Sequence, residues 1–295
     1  MKLLECVPNF SEGKDKKKID AIASALQKVS GVRLLNICTD SDHNRTVFTF
    51  IGSPEDIERG AAAACGKALE VIDMREQQGV HPRIGAVDVV PFIALKNAVI
   101  ADAVETARRF GRAFAERNGL PVYFYGEAAL VEERRELPRI RKGGYEALRK
   151  RMEDPRWAPD AGPRVLNEQS GATAVGARDF LIAFNINLAS PDLEAARKIA
   201  ETIRYSSGGM KHVKAIGVPL RSREIVQVSM NLTNFRETPV KDVFDRVKAE
   251  AARYGVQVLE SELIGLIPEE ALLDVTPQYL MLRDFSEDRI IERHL

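Results

Sequence analysis

Cysteine, histidine and long apolar stretches are all scarce in this chain of 295 residues. Three cysteines without a CxxC pair exclude a disulfide framework and a cysteine-rich zinc site, and they predict a reducing, cytoplasmic location. The longest run free of Asp, Glu, Lys and Arg is residues 180–191, which is shorter than the roughly 20 apolar residues of a spanning helix. Glu5 interrupts the first apolar residues, so neither a signal peptide nor a membrane partner is expected.

The chain also lacks an excess of positive charge, since 43 Lys and Arg balance 43 Asp and Glu. A dedicated nucleic-acid-binding protein normally carries a basic excess, so no nucleic-acid partner is expected. No GxGxxG or GxxxxGK[ST] motif supports nucleotide binding, and no GxSxG motif supports a serine hydrolase. Without a paired motif such as HExxH, no metal site is predicted.

Apolar periodicity predicts two similar halves that each contain the order β-α-β-β-α-β, and the first half adds a helix and a strand after it. Asp15 and Ser53 are expected to cap helices, and Gly119 is expected to end one. The second half is predicted to close with a helix over residues 269–282. The fold class is therefore α+β, with two subdomains that each carry a mixed sheet and helices on one face. The boundary is placed after the glycine-containing stretch 171–176, which gives subdomains 1–178 and 179–295.

Each of the four histidines can be weighed separately, and His81 is the best candidate for catalysis. It lies in a loop between a predicted helix and a predicted strand, and Pro82 restricts its backbone to extended geometry. Histidine is suited to proton transfer near neutral pH. A surface or capping histidine is the alternative. Three arginine-containing runs, at 134–135, 139–142 and 149–151, are interpreted first as solvated helix faces, although a local field that attracts an anionic ligand stays open.

Eight ordered segments resemble the formiminotransferase domain of the formiminotransferase-cyclodeaminase family. They are CVPNFSEG (6–13), NRTVFTFIG (44–52), HPRIGAVDVVPF (81–92), PVYFYGEAA (121–129), WAPDAGP (157–163), GATAVGAR (171–178), FLIAFNINL (180–188) and ELIGLIP (262–268). The resemblance spans essentially the whole chain and leaves no residues for a cyclodeaminase, so a stand-alone transferase is expected. It implies two subdomains that flank a folate cleft, and a homodimer.

The activity implied by the resemblance is transfer of a formimino group between N-formimino-L-glutamate and N5 of tetrahydrofolate, a step of histidine degradation. Tetrahydrofolate is then a co-substrate and no metal is needed. The family's catalytic histidine corresponds to His81, and its folate loop runs from Gly162-Pro163 to Gly171. The interior of this loop, residues 164–170, differs from the aromatic- and proline-containing version of animal members.

Further candidate contacts rest on side-chain chemistry. Arg45 and Arg83 are loop-adjacent guanidinium groups suited to substrate carboxylates, and Asn9 is a candidate hydrogen-bonding partner of substrate. Arg164 and Asn167 are candidates within the folate loop. The alternatives are formyl transfer from 5-formyltetrahydrofolate to glutamate, formimino transfer to another amino acid such as glycine, and a folate-binding protein without turnover.

Overall fold

The computed structural model describes residues 1–295 and divides into two compact units, Met1–Arg178 and Asp179–Leu295. The predicted α+β class is confirmed, because the first unit contains a seven-stranded sheet and the second a four-stranded sheet. No helix is both long and apolar enough to cross a membrane. The elements of the first unit, in chain order, are β1 Leu3–Cys6, β2 Asn9–Phe10, α1 Lys16–Gln27, β3 Arg33–Asp40, β4 Arg45–Gly52, α2 Pro54–Val71, β5 Val87–Lys96, α3 Ile100–Asn118, β6 Val122–Gly126, α4 Leu137–Ile140, α5 Gly144–Glu153 and β7 Thr173–Ala177.

The strands of the first unit combine an antiparallel part with a parallel extension. Strand β4 pairs antiparallel with β1, β2 and β3, and β5 pairs antiparallel with β1 and β2. Strand β7 then pairs parallel with both β5 and β6. The sheet is therefore mixed, as predicted, and β2 brings the loop after β1 beside the ends of β4 and β5.

Strand β7 is absent from the prediction, which treated its residues as a glycine-containing boundary. All five of its residues are buried, so the polar alternation that marks a half-exposed strand is missing. A Cβ at Gly176 would lie 2.5 Å from the Tyr125 ring of the neighbouring strand. Close packing within the sheet therefore requires glycine at position 176. Because glycine is uncommon inside strands, the same residue favoured the interpretation of this stretch as a boundary.

Helices α1, α2 and α3 contribute apolar side chains to the main core of the first unit. The predicted caps are confirmed: Asp15 accepts backbone N–H bonds at the start of α1, and Ser53 does so for α2. Gly119 follows α3 with a φ of 58°, in the left-handed region. The buried face of α2 consists mostly of small residues (Gly60, Ala61, Ala64, Cys65, Ala68), which permits close approach to the sheet.

The second unit has the element order that the sequence predicts, up to its last segment. Its elements are β8 Ile182–Leu188, α6 Leu193–Ile203, β9 Val213–Leu220, β10 Ile225–Leu232, α7 Val240–Arg253 and β11 Val258–Ile264. The sheet order is β11-β8-β10-β9, and every pairing is antiparallel. The prediction of a mixed sheet is therefore wrong in this detail for the second unit.

The helix predicted over residues 269–282 is also wrong. Only a short 3₁₀ turn, Glu269–Leu272, forms at its start. Pro277 cannot donate a backbone hydrogen bond, and it disfavours helical geometry at the preceding Thr276. Val275 and Leu280 are nevertheless buried in the core of the second unit. The apolar residues of this segment are therefore explained by packing against the core and not by a helix.

A carboxylate is buried in the middle of the first unit. Glu5 lies on β1 opposite Ile51 and Ile93, and only 3% of its surface is exposed. Burial raises the pKa of Glu5 to about 7, although the positive charge of Arg178 opposes this rise. Ionised Glu5 is therefore destabilising in the folded state above that pH.

We expect Glu5→Gln to change how stability depends on pH. The folded pKa is raised above its unfolded value of 4.5, so wild-type stability from this group falls as pH rises from 4.5 to about 7. Relative to wild type, the variant should gain about 1–3 kcal/mol in unfolding free energy between pH 5 and pH 8. Urea denaturation at the two pH values measures this gain, with exposed Glu116→Gln as control. An equal pH dependence in all three proteins would contradict the assignment.

Candidate active site

His81 lies on a loop that is attached to the turn between β3 and β4. Asn44 supplies the attachment: its Nδ2 donates to the Gln78 carbonyl oxygen at 2.7 Å, and its Oδ1 accepts from the Gly13 amide at 2.8 Å. The φ of Asn44 is 47°, a left-handed conformation that asparagine tolerates better than most residues. A Cβ at Gly79 would collide with the His43 carbonyl oxygen, so glycine is required there. The His43 and His81 rings are 5.6 Å apart.

Arg45 is the nearest charged neighbour of His81. Its Nη1 lies 2.6 Å from His81 Nδ1 and 3.4 Å from His81 Nε2. Its Nε donates to Asn9 Oδ1 at 2.9 Å, and its Nη2 donates to the same oxygen. The Asn9 amide nitrogen donates in turn to the Val7 carbonyl oxygen at 2.7 Å, which orients Oδ1 towards the guanidinium. Three predicted site residues, Asn9, Arg45 and His81, therefore come together.

Asp88 and Arg141 complete this cluster, and neither was predicted. Asp88 is 1% exposed on β5, and its Oδ2 accepts from Arg45 Nη1 at 3.3 Å and from Arg141 Nη2. Asp88 Oδ1 accepts from the Ile84 amide at 3.0 Å. One carboxylate thus holds two guanidinium groups, and the cluster keeps an excess of positive charge when the histidine is neutral.

The electrostatics of the cluster favour neutral His81. Burial, followed by the positive charges of Arg45 and Arg141, holds the pKa of His81 well below its ordinary value of 6.5. Burial and Arg141 lower the pKa of Arg45 to about 9, while Asp88 opposes this change, so Arg45 keeps its charge at neutral pH. The site therefore combines an uncharged proton carrier with two cations that suit an anionic ligand.

Arg83 lies apart from this cluster. Its guanidinium donates to the Gln77 carbonyl and side-chain oxygens and to Glu146, with an Nη2 to Oε1 distance of 2.8 Å. These contacts tie helix α5 to the histidine loop. A substrate contact for Arg83 stays a prediction, whereas its observed contacts position the loop.

The end of the predicted folate loop lies directly beside the histidine loop. The Ala172 amide donates to the Ile84 carbonyl oxygen at 2.9 Å, and the Ala86 amide donates to the Ser170 carbonyl oxygen at 2.9 Å. Gly171, between these two bonds, has a φ of 72°, and a Cβ there would collide with the Ile84 carbonyl oxygen. The segment that resembles a folate loop therefore ends beside Ile84, which is three residues after His81 in the chain.

The other loop candidates are engaged locally. Asn167 Oδ1 accepts from the Ser170 amide at 3.0 Å, and the Asn167 carbonyl oxygen accepts from Gly171. Arg164 Nε donates to the Met152 carbonyl oxygen at 2.7 Å. Gly162 has a φ of 82°, and Pro163 is exposed. These contacts shape the loop, and folate contacts for its residues stay predictions.

The arginine-containing runs are not uniformly solvated. Arg134 is 5% exposed, pairs with Asp160 and lies 5.3 Å from the Tyr123 ring centroid. Arg151 lies 3.9 Å from the Trp157 ring centroid. Arg141, from the run 139–142, lies in the His81 cluster. This position agrees with the second interpretation of that run, a local positive field. The sequence signal for this cluster was Asp88, a single charge inside the apolar strand VDVVPFIA, because such a charge needs a buried partner.

The fold and the site together define a two-unit α+β protein in which a histidine of lowered pKa lies beside a cluster of two arginines and one aspartate. A family model described as "Formiminotransferase domain, N-terminal subdomain" matches residues 3–178, and one described as "Formiminotransferase domain" matches residues 183–293. The chain belongs to the formiminotransferase family, as its resembling segments indicated. No group of three or more His, Cys, Asp or Glu side chains suited to a metal ion occurs in the structure.

Relatives of known name match the chain along its length. The glutamate formimidoyltransferase of Thermoplasma acidophilum is 44% identical over 297 residues, which cover 100% of this chain and 98% of the relative. The protein of the same name from Streptococcus pyogenes serotype M1 is 42% identical, with coverage of 100% and 99%. The formimidoyltransferase-cyclodeaminase of Gallus gallus is 45% identical over 95% of this chain but only 52% of the relative. The chain thus corresponds in extent to the first two relatives.

Proposed function

We propose that this protein is a glutamate formimidoyltransferase, which moves a formimino group between N-formimino-L-glutamate and N5 of tetrahydrofolate. The observation that carries the proposal is the neutral His81 beside Arg45 and Arg141, in a chain whose full-length relatives bear that name. The chemistry requires an acid-base group that is uncharged at the start, and the substrates are anionic. The cluster supplies both properties.

His81 is proposed as the general acid and base. When the N5 amine attacks the amidine carbon, a bond forms between them and N5 must lose a proton. When the bond between that carbon and the glutamate nitrogen breaks, the nitrogen must gain a proton. A neutral imidazole can accept the first proton and deliver it to the second nitrogen, so the ring returns to its starting charge. Holding both substrates beside this ring supplies much of the rate advantage.

The binding roles follow from charge and position. Arg45 is proposed to bind a carboxylate of formiminoglutamate, with Asn9 holding its guanidinium in place and Arg83 holding the histidine loop. The loop from Gly162 and Pro163 to Gly171, with Arg164 and Asn167 inside it, is proposed to contact tetrahydrofolate as co-substrate. Its support is the backbone pairing of Ser170 and Ala172 with the end of the histidine loop. The chemistry of the cluster needs no metal ion.

The test is a turnover assay with two substrate mixtures. Purified protein with tetrahydrofolate and N-formimino-L-glutamate should form 5-formiminotetrahydrofolate, which is followed by its absorbance. The second mixture contains 5-formyltetrahydrofolate and glutamate, and it should form N-formylglutamate more slowly or not at all. Turnover of the second mixture alone would show formyl transfer instead, and binding of folate without turnover in either would show a binding protein.

We also propose a cytoplasmic homodimer, on the resemblance to the family and the absence of a disulfide among the three free cysteines. Size-exclusion chromatography with light scattering measures the mass in solution. Twice the chain mass of 32.8 kDa is expected, and a mass of one chain at micromolar concentration would contradict the dimer.

A further inference from the structure

Arg141 is bound to the protein along only one edge of its guanidinium group. Its Nε donates to Asp88 Oδ1 at 3.4 Å, and its Nη2 donates to Asp88 Oδ2. A guanidinium has five N–H groups, so both hydrogens of Nη1 and one of Nη2 have no protein acceptor. These hydrogens include the edge between Nη1 and Nη2, which can bind both oxygens of a carboxylate. With 11% of its side chain exposed, Arg141 is largely desolvated and still accessible to a ligand.

Arg45 is engaged on more sides than Arg141. Asn9 Oδ1 accepts from its Nε at 2.9 Å and from its Nη2, and so takes the edge that these two nitrogens share. Its Nη1 lies 3.3 Å from Asp88 Oδ2 and 2.6 Å from His81 Nδ1. Arg141 is therefore the cation of the cluster with more N–H groups left for an anion.

The two guanidinium groups are close enough together to bind one small ligand. Arg45 Nη1 and Arg141 Nη2 both contact the same oxygen, Asp88 Oδ2. Because Arg45 Nη1 also lies beside His81, the pair of cations begins at the ring that is proposed to carry the proton. Glutamate has two carboxylates separated by three carbon atoms. A ligand of this size that reaches His81 therefore has two cations within its reach.

The charge of the cluster favours a ligand with two carboxylates over a ligand with one. When His81 is neutral, the cluster holds two positive charges on arginine and one negative charge on Asp88. The formimino group is an amidine, a strong base that carries a proton near neutral pH. Formiminoglutamate then has a single net negative charge, which compensates the cluster, whereas formiminoglycine has no net charge. Formiminoglycine would also leave the open edge of Arg141 desolvated without an acceptor, which is unfavourable.

We propose that Arg141 binds the side-chain carboxylate of formiminoglutamate and so makes the enzyme select a dicarboxylate substrate. This inference rests on the proposed function, which supplies the substrate and assigns one of its carboxylates to Arg45. Arg45, beside His81, takes the carboxylate next to the formimino nitrogen, and Arg141 takes the other. Asp88 orients the open edge of Arg141 because it holds the opposite edge. A monocarboxylate leaves these polar groups unpaired, which is how such a site rejects an analogue.

The selectivity between substrates measures this role. Formimino transfer to tetrahydrofolate is followed with N-formimino-L-glutamate, N-formimino-L-glutamine and N-formiminoglycine, and the values of kcat/KM are compared. The glutamine compound has the same shape and an uncharged side chain. Wild type should prefer the glutamate compound over both others by about 10–100-fold, the range of a hydrogen bond to a charged group. Equal kcat/KM for the glutamate and glutamine compounds would overturn the proposal.

Arg141→Gln should remove this preference. The readout is the ratio of kcat/KM between the glutamate and glycine compounds, because a general effect on His81 cancels from it. The ratio should fall by about 10–100-fold, while KM for tetrahydrofolate stays near its wild-type value. An equal loss with all substrates would show that Arg141 acts on catalysis in general, and a raised KM for tetrahydrofolate alone would show a folate contact. Either result would overturn the specificity role.

Arg141→Lys and Arg139→Gln complete the set of variants. Lysine keeps a positive charge beside Asp88 but lacks the planar fork that binds two oxygens, so this variant should keep a reduced preference for the glutamate compound. It also serves if Arg141→Gln does not fold. Arg139→Gln is the matched control, because Arg139 is exposed in the same basic run, and it should behave as wild type. An unchanged preference in either Arg141 variant would overturn the proposal.

Ligand binding without turnover distinguishes this proposal from the proposed reaction. Titration calorimetry with L-glutamate and L-glutamine requires no formimino transfer. Wild type should bind L-glutamate more tightly than L-glutamine, and Arg141→Gln should bind the two alike. This pattern without formimino transfer would reject the reaction and keep the dicarboxylate site. Formimino transfer by a wild-type protein that binds the two amino acids equally would reject the site and keep the reaction.

Discussion

Replacing His81 by alanine is expected to lower kcat by about 10²–10⁴-fold, the range typical of a lost general acid-base group. Arg45 and Arg141 would remain to attract the anionic substrates, so folate binding and the glutamate affinity should change much less than kcat. Steady-state kinetics with varied tetrahydrofolate and formiminoglutamate separate kcat from KM. Tryptophan fluorescence or calorimetry measures folate binding independently.

His212→Asn is a suitable control for this substitution. His212 lies in the second unit, hydrogen-bonds to Glu237 at 3.1 Å and has a φ of 58°, which asparagine accommodates. The control should keep wild-type kcat. A His81→Ala protein with unchanged kcat would remove His81 from the mechanism, whatever its effect on KM.

Replacing Asp88 by asparagine is expected to cause the largest loss of stability. Asparagine has the same shape but no charge, so Arg45 and Arg141 would face each other without their shared counter-ion. Removing one partner of a buried ion pair typically costs about 3–5 kcal/mol, because a charge is left uncompensated. Urea denaturation at pH 7 measures the loss, and the protein should also lose activity because Arg45 no longer has a fixed position.

Asp20→Asn provides the comparison with an exposed pair. Asp20 contacts Lys16 at 2.8 Å on the surface of α1, and such pairs contribute about 0–1 kcal/mol. Asp88 is buried between two arginines, whereas Asp20 is exposed and pairs with one lysine, so the comparison contrasts a buried charge cluster with an exposed ion pair. Equal, small effects of both substitutions would show that Asp88 does not hold the arginine pair, and the account of the site would then be wrong.

Local signals in the sequence predicted most elements of the fold. Helix caps at Asp15 and Ser53 and the apolar alternation of β8 each depend on neighbouring residues, which can be interpreted without knowledge of the rest of the fold. The two errors of the prediction, at strand β7 and at residues 269–282, come from contacts between distant parts of the chain. Strand β7 contains Gly176, which packs against the Tyr125 ring, and the segment after residue 269 buries apolar side chains without a helix. In both places tertiary contacts outweighed local preference.

The same distinction applies to the site. His81 was identified from its loop position and its proline neighbour, and the resemblance strengthened that choice. Arg141 could not be chosen from its basic run, because only the fold shows which of several arginines reaches Asp88.

The pH dependence of kcat/KM tests the central claim, that neutral His81 carries the proton, most directly. Since kcat/KM reports groups of the free enzyme, and since the pKa of His81 is lowered, the acid limb assigned to His81 should lie below pH 6.5. The neutral form then persists at pH 6.5, and activity falls only as the lower pKa is passed. His81→Ala should lose this limb and keep those due to substrate carboxylates. An identical acid limb in wild type and His81→Ala would contradict the account.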